Sequence, residues 1–162
     1  MTEPSSPRRR ARRGANGLDA TDKVIVEHLQ DDGRRPYAAI ATAVGLSEAA
    51  VRARVQKLID AGIVQIVAVT DPLQVGFMRQ ALVGIKVSGD IESVAASVGD
   101  LPEVPYVVTT AGRFDILAEA VCEDDGHLLD VISRIRLLSN VIETETFVYL
   151  KLNKQHYNWG TR

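Results

Sequence analysis

Residues 36–58 read PYAAIATAVGLSEAAVRARVQKL. Ala38, Ala39, Ala41 and Ala43 give a short helix a small, closely packing surface. Gly45 stands where a left-handed C-cap ends that helix. Ser47 stands where the N-cap of a second helix begins. Two helices joined by such a turn make a helix-turn-helix, whose second helix fits a DNA major groove. In that second helix Val51, Val55, Leu58 and Ile59 fall at i, i+4, i+7 and i+8 and form an apolar stripe. At about 100° per residue, Ala49, Arg52, Ala53, Gln56 and Lys57 fall on the other side. The alanines allow close approach to base edges, Arg52 suits guanine and Gln56 suits adenine. Arg54 and Lys57 flank the stripe and suit phosphate contacts, which hold register without reading sequence.

An amphipathic helix whose arginines touch only water has the same pattern, so the flanking sequence decides. Residues 18–29, LDATDKVIVEHL, place Leu18, Val24, Ile25 and Leu29 at helical spacing, with Thr21 or Asp22 near the start. Residues 63–69, IVQIVAV, are rich in β-branched side chains and suit a strand. Three helices and a strand make a winged helix-turn-helix. Between the first two helices, Arg34 and Arg35 stand before Pro36 and Tyr37, where they can clamp a DNA backbone. The expected DNA-binding set is Arg34, Arg35, Tyr37, Ser47, Glu48, Ala49, Arg52, Arg54, Gln56 and Lys57.

The 162 residues hold one medium domain or two small ones, with 46% hydrophobic and 25% charged residues, an ordinary globular composition. No apolar run reaches the roughly 20 residues that span a bilayer, and no apolar segment follows the basic N-terminus as in a secretory signal. Cys122 is the one cysteine. It excludes an intramolecular disulfide and a cysteine-based zinc site, and is expected to be a small core residue. These features together point to the cytoplasm. His28, His127 and His156 form no ligand-spaced cluster, so no metal or cofactor is expected.

The net charge of −2 hides an asymmetry. Residues 1–70 hold 11 Lys and Arg against 8 Asp and Glu, a net of +3; residues 71–162 hold 8 against 13, a net of −5. Such asymmetry suggests two parts with different partners. Arg8, Arg9, Arg10, Arg12 and Arg13 lie in an arm, residues 1–17, that has no core-forming pattern. The arm suits phosphates or a minor groove and equally suits a solubilising tail.

Beyond a connector at residues 71–79 the elements alternate. Strands are expected at 80–87, 106–110, 114–122 and 141–152, and helices at 91–98 and 128–138. The order β-α-β-β-α-β is the ferredoxin-like split motif. The whole chain is therefore expected to be α+β: residues 18–70 a winged helix-turn-helix and residues 80–152 a ferredoxin-like βαββαβ domain. Its helices cover one sheet face, and a second copy is the simplest cover for the other, so a homodimer is expected. The tail, residues 153–162, carries the only tryptophan, Trp159. Packing on a neighbouring subunit and a loose end both remain open for it.

Several short motifs occur in order. They are Leu18-Asp19, Asp32-Gly33-Arg34, Val44-Gly45-Leu46-Ser47 and Arg54-Val55-x-x-Leu58, followed by Ala61-Gly62-Ile63-Val64, Gly112-x-Phe114-Asp115 and Val141-x-x-x-Glu145-Thr146. Each is weak alone, but the ordered set resembles the feast/famine regulators, the leucine-responsive regulatory protein and AsnC family. The resemblance implies a regulator of transcription that binds double-stranded DNA and assembles from dimers, often to octamers. It also implies a small effector, commonly an amino acid, bound between dimers near the Gly-x-Phe-Asp segment and the last strand. Carried onto this chain, the effector-binding set is Thr109, Thr110, Gly112, Arg113, Phe114 and Asp115, with Thr144 and Thr146 opposite. Asp115 suits an ammonium group, backbone N–H groups near Gly112 suit a carboxylate, and the threonine hydroxyls serve either. Arg113 departs from the acidic or polar residue common in the family. It suits the effector's carboxylate or a salt bridge between dimers. For Gly112 and Asp115, a plain turn held by its own backbone bonds fits equally.

The sequence also speaks to two rival functions. Some tetrapyrrole-modifying decarboxylases look like this family, but the chain has no histidine cluster, phosphate loop or Ser/His/Asp constellation. An amino-acid-binding assembly module without DNA binding would not need the surface of Arg34, Arg35, Arg52, Arg54 and Lys57. The expectation is a non-enzyme.

Overall fold

Helix α1, Ala20–Asp31, begins at a capping box. The Asp19 carboxylate accepts from the Asp22 N–H at 2.7 Å while the Asp22 side chain reaches back to the Asp19 N–H. The cap thus lies two residues before Thr21, the earliest expected start. Helix α2, Tyr37–Val44, stops at Gly45, whose φ of 69° is the left-handed conformation that favours glycine. Helix α3, Glu48–Asp60, is capped by the Ser47 hydroxyl, which accepts from the Ala50 N–H at 3.2 Å. This computed structural model describes residues 18–162, so the basic arm at residues 1–17 lies outside the described residues.

The three helices close around Ile25, Val26, Leu29, Ile40, Ala41, Val51, Val55, Leu58 and Val64. Two assignments shift. Val26 takes the core place expected for Val24, which stays exposed on the far side of α1, and Ile59 sits at the solvent edge of its stripe. Of the α2 alanines only Ala41 is buried; Ala38, Ala39 and Ala43 face outward.

Residues 63–69 correct the expectation of a wing: the described chain forms no strand there. The β-branched composition is right for pairing, but a strand needs a partner for its N–H and C=O groups, and among the described residues no other segment supplies one. Only Val64 is buried; Ile63, Ile66, Val67 and Val69 are exposed.

The chain divides into two units, one of residues 18–68 with 155–162 and one of residues 69–154. The second opens with a single 3₁₀ turn, Pro72–Gln74, capped by Asp71. Its elements are β1 (Arg79–Val87), α4 (Ile91–Gly99), β2 (Tyr106–Thr109), β3 (Ile116–Cys122), α5 (Asp125–Arg136) and β4 (Val141–Val148). The sheet order is β2-β3-β1-β4 with every neighbouring pair antiparallel. This is the expected ferredoxin-like βαββαβ arrangement.

Alternation sorts the side chains of β1. Ala81, Val83, Ile85 and Val87 are buried with Ile116, Ala118, Ala120 and Cys122 of β3 under Val94, Val98, Leu128, Val131 and Ile135 of the helices. Cys122 is a core residue, and burial pushes its thiol pKa up. The opposite parity, including Leu82, Leu117 and Val108, faces away from the helices, as do Tyr106 and Phe147, 54% and 45% exposed.

One ion-pair network ties the helix side together. Glu103 accepts from Arg134 at 2.7 Å and contacts His127 Nε2 at 3.1 Å, while Arg134 also pairs with Asp130 at 2.8 Å. The hydrogen bond from Arg134 holds the Glu103 carboxyl at about 2, against the desolvation that opposes it. A carboxyl whose pKa falls on folding stabilises above its unfolded value and loses that contribution as pH drops. Glu103→Gln should therefore lower unfolding free energy at pH 7 by about 1–3 kcal/mol. Urea melts of both proteins should converge as the pH is taken from about 4.5 towards about 2.

Candidate functional site

The outward face of α3 carries Ala49, Arg52, Ala53, Gln56 and Lys57, all exposed, as its spacing requires. Arg52 is held from two sides. Its Nη2 donates to Glu48 at 2.8 Å and its guanidinium lies 5.2 Å from the Tyr37 ring centroid. Glu48 and Tyr37 therefore fix the direction of the Arg52 side chain on the outward face. Gln56 donates to Asp60 at 2.8 Å, an i,i+4 bond along the same face.

Arg54 does something else. Its Nη1 donates to Asp19 at 2.6 Å and to Asp22 at 2.7 Å, joining the start of α1 to the middle of α3. The Asp22 N–H first, and Arg54 second, lower the Asp19 carboxyl pKa, and the two aspartates raise the Arg54 pKa. The phosphate role expected for Arg54 thus competes with an interhelix clamp. The spacing of Asp19 and Asp22 signals the capping box at the start of α1, but nothing in the sequence pattern links that pair to Arg54.

Arg35 is engaged as well, pairing with Asp31 at 3.4 Å and lying against the His28 ring. Arg34 and Lys57 are exposed and have no ion-pair partner among the described residues. They are the members of the set whose charge is free for phosphates.

In the second unit the residues after β2 form a tight bend. The Thr110 hydroxyl donates to the Phe114 carbonyl at 2.6 Å, and the Thr110 N–H donates to the Asp115 carbonyl at 2.9 Å. The Asp115 carboxylate accepts from the Val87 N–H at 2.8 Å and from Lys86 Nζ at 3.0 Å. These two bonds, the backbone one first, lower its pKa. Asp115 therefore clips the bend to the end of β1. Phe114 lies so closely over Gly84 that a Cβ there would come within 2.5 Å of the ring. Gly112 is not in the left-handed region, and a Cβ there would meet nothing within 4 Å.

Arg113 covers Phe114, 5.1 Å from its centroid, and pairs with Glu143 at 3.4 Å and Glu145 at 3.2 Å. The two threonines expected opposite the bend lie on the other face of the sheet. Thr144 and Thr146 pair with Ile85 and Val83, so they share the helix-covered side. Thr144 accepts from Arg136 at 2.8 Å, and Thr146 Oγ1 is buried. Thr109, opposite Ile116, also belongs to that side. The structure thus gathers Thr110, Gly112, Arg113, Phe114 and Asp115 and adds Lys86, Glu143 and Glu145, which the sequence reading missed. The alternation of β4 was the available signal, since residues 143 and 145 share one parity and 144 and 146 the other.

The two arginines of α3 should separate on substitution. Arg54→Ala should lower the melting temperature, because it unties α1 from α3. Arg52→Ala should leave the melting temperature unchanged and cost about 1–3 kcal/mol of discrimination between a selected duplex and a random one. Titrations of both duplexes by fluorescence anisotropy check this; an equal loss on the two would assign Arg52 to phosphate.

Among the described residues no helix is long and apolar enough to cross a membrane. Two family profiles match the chain in order: the AsnC-type helix-turn-helix domain over residues 18–59 and a C-terminal dimeric alpha+beta barrel domain over residues 77–162. The HTH-type transcriptional regulator FL11 of Pyrococcus horikoshii is 30% identical, covering 85% of this chain and 93% of that protein. The leucine response regulatory protein LrpA of Mycobacterium tuberculosis superposes with a TM-score of 0.77 at 30% identity, over 85% of this chain and 96% of its own. A transcriptional regulator of Neisseria meningitidis, solved as an L-Met complex, gives 0.73 at 29% identity, over 88% and 96%. These relatives are named as regulators and not as enzymes, and the matched domains place this chain in the AsnC/Lrp family of DNA-binding transcriptional regulators.

Proposed function

We propose that this regulator acts in the cytoplasm as a homodimer that assembles further, to an octamer, and that an amino acid bound at the bend of residues 110–115 changes its hold on DNA. The observation that carries the reading is the bend itself. Thr110 and Asp115 fix its two ends, so the backbone around Gly112 is held in place with open space beside it. A preorganised backbone beside a glycine suits a ligand carboxylate. Asp115 spends its carboxylate on β1, so the ammonium acceptors we assign are Glu143 and Glu145. Support for an amino acid also comes from the L-Met complex of the Neisseria relative.

Three carboxylates, Asp115, Glu143 and Glu145, face two cations, Lys86 and Arg113, around the bend. That balance favours neutral or basic amino acids over acidic ones. The face of Leu82, Leu117, Val108, Tyr106 and Phe147 is the one a second copy covers in this reading. Each dimer would then present two α3 helices to a near-palindromic site.

A thermal-shift screen against the twenty amino acids tests the proposal, since a ligand that binds only the folded state raises the melting temperature. One or a few neutral or basic amino acids should give a shift, with aspartate and glutamate inert. Gly112→Thr has room for its side chain, so it should fold, keep DNA affinity and lose the shift. A shift that survives in Gly112→Thr would move the effector site elsewhere.

A further inference from the structure

The chain passes between its two units twice. It leaves the helix-turn-helix unit after Ala68 and rejoins it at Gln155. The returning segment, residues 155–162, is tied to α1 by side-chain bonds. Gln30 and Gly160 bond reciprocally: the Gly160 N–H donates to Gln30 Oε1 at 3.0 Å, and Gln30 Nε2 donates to the Gly160 carbonyl at 3.4 Å. Asn158 Nδ2 donates to Asp31 Oδ1 at 3.0 Å, and the Thr161 hydroxyl donates to Glu27 Oε1 at 2.6 Å. Gly160 has a φ of 72°, a left-handed turn that most side chains resist.

Glu27, Gln30 and Asp31 fall at i, i+3 and i+4, so they form one face of α1. That face is turned away from Ile25, Val26 and Leu29, which fill the core. The tail therefore adds a polar attachment on the outside of a helix whose inside is already packed. The unit it joins is small, with nine residues in its buried core among the described residues. Units of this size bury a modest fraction of their surface and gain from any extra tie. The helix that receives the tie is also the one whose Asp19 and Asp22 hold Arg54 on α3.

We propose that residues 155–162 are a strap. It gives each helix-turn-helix unit a second tie to the C-terminal unit, covalent where it leaves β4 and hydrogen-bonded where it meets α1, and thereby raises the affinity of a dimer for DNA with two half-sites. A unit held by one linker samples more orientations than a unit held by two. The effective concentration of the second reading helix, once the first is bound, rises as that freedom falls. The strap also leaves β4 directly, through residues 149–154, and β4 carries Glu143 and Glu145. The inference rests on the dimeric, DNA-binding reading and needs no effector.

The test compares the intact chain with a chain ending at Lys154 and with full-length Gln30→Leu, which removes the reciprocal bond and leaves the core untouched. The DNA probes are a duplex selected from a random library by the intact protein and the same duplex with one half-site scrambled. Both variants should lose hydrogen-exchange protection in α1 while β1 and β3 keep theirs. Affinity for the two-half-site duplex should fall by about tenfold or more, with affinity for the scrambled duplex unchanged. Equal losses on both duplexes would make the tail a direct DNA contact and overturn the strap. Unchanged α1 protection would overturn it too. If the shortened chain does not fold, Gln30→Leu alone decides. A monomeric mass for the intact protein in sedimentation would overturn the dimeric reading, and the strap's avidity role with it.

Discussion

Strand β1 is paired along both edges, and its alternation is imposed on every strand beside it. Because Ala81, Val83, Ile85 and Val87 must face the helices, the residues opposite them on β3 and β4 face the helices as well. What is left for the other side follows without further choice. Gly84 and Lys86 share a face with Glu145 and Glu143, Phe114 closes over Gly84, and Arg113 lies over Phe114 within reach of both glutamates. The bend's chemistry is thus set by burial on the far side of the sheet. A one-residue slip of β4 would bring the threonines to Arg113 and drive the glutamates into the core.

In the helix-turn-helix unit the comparable constraint is electrostatic. Counting basic side chains overstates the charge available to DNA. Arg35, Arg52 and Arg54 each have acidic partners, while Arg34 and Lys57 have none among the described residues. These pairings differ in kind. Arg52 shares an exposed i,i+4 pair with Glu48, the sort that is weak and easily exchanged for another partner. Arg54 spans two helices and meets two carboxylates, so releasing it disturbs a helix cap as well as an ion pair.

Much of the architecture was legible in the sequence because it rests on local rules. Gly45, Ser47, the stripe of Val51, Val55 and Leu58, and the alternating strands each announce themselves within a few residues. What escaped depends on distant partners. Residues 63–69 have strand composition, but composition cannot provide the neighbour a strand needs. Asp19 and Arg54 lie 35 residues apart, and no period connects them. The faces of Thr144 and Thr146 depended on pairing register, which the β4 pattern constrained but the family resemblance did not supply. The tail has no periodicity at all, so its attachment to α1 through Gln30 and Gly160 was out of reach of pattern reading.

The residues that hold α3 in place and those that face outward from it are separate sets. Val51, Val55 and Leu58 pack the core and Arg54 clasps α1, while Ala49, Ala53 and Gln56 are exposed and Arg52 meets α2 only through the Tyr37 ring. In the reading proposed above, single substitutions on the outward set change which operator is preferred while the scaffold stays intact. A duplicated copy of such a gene could wander towards a new regulon one base contact at a time, without first passing through an unstable protein.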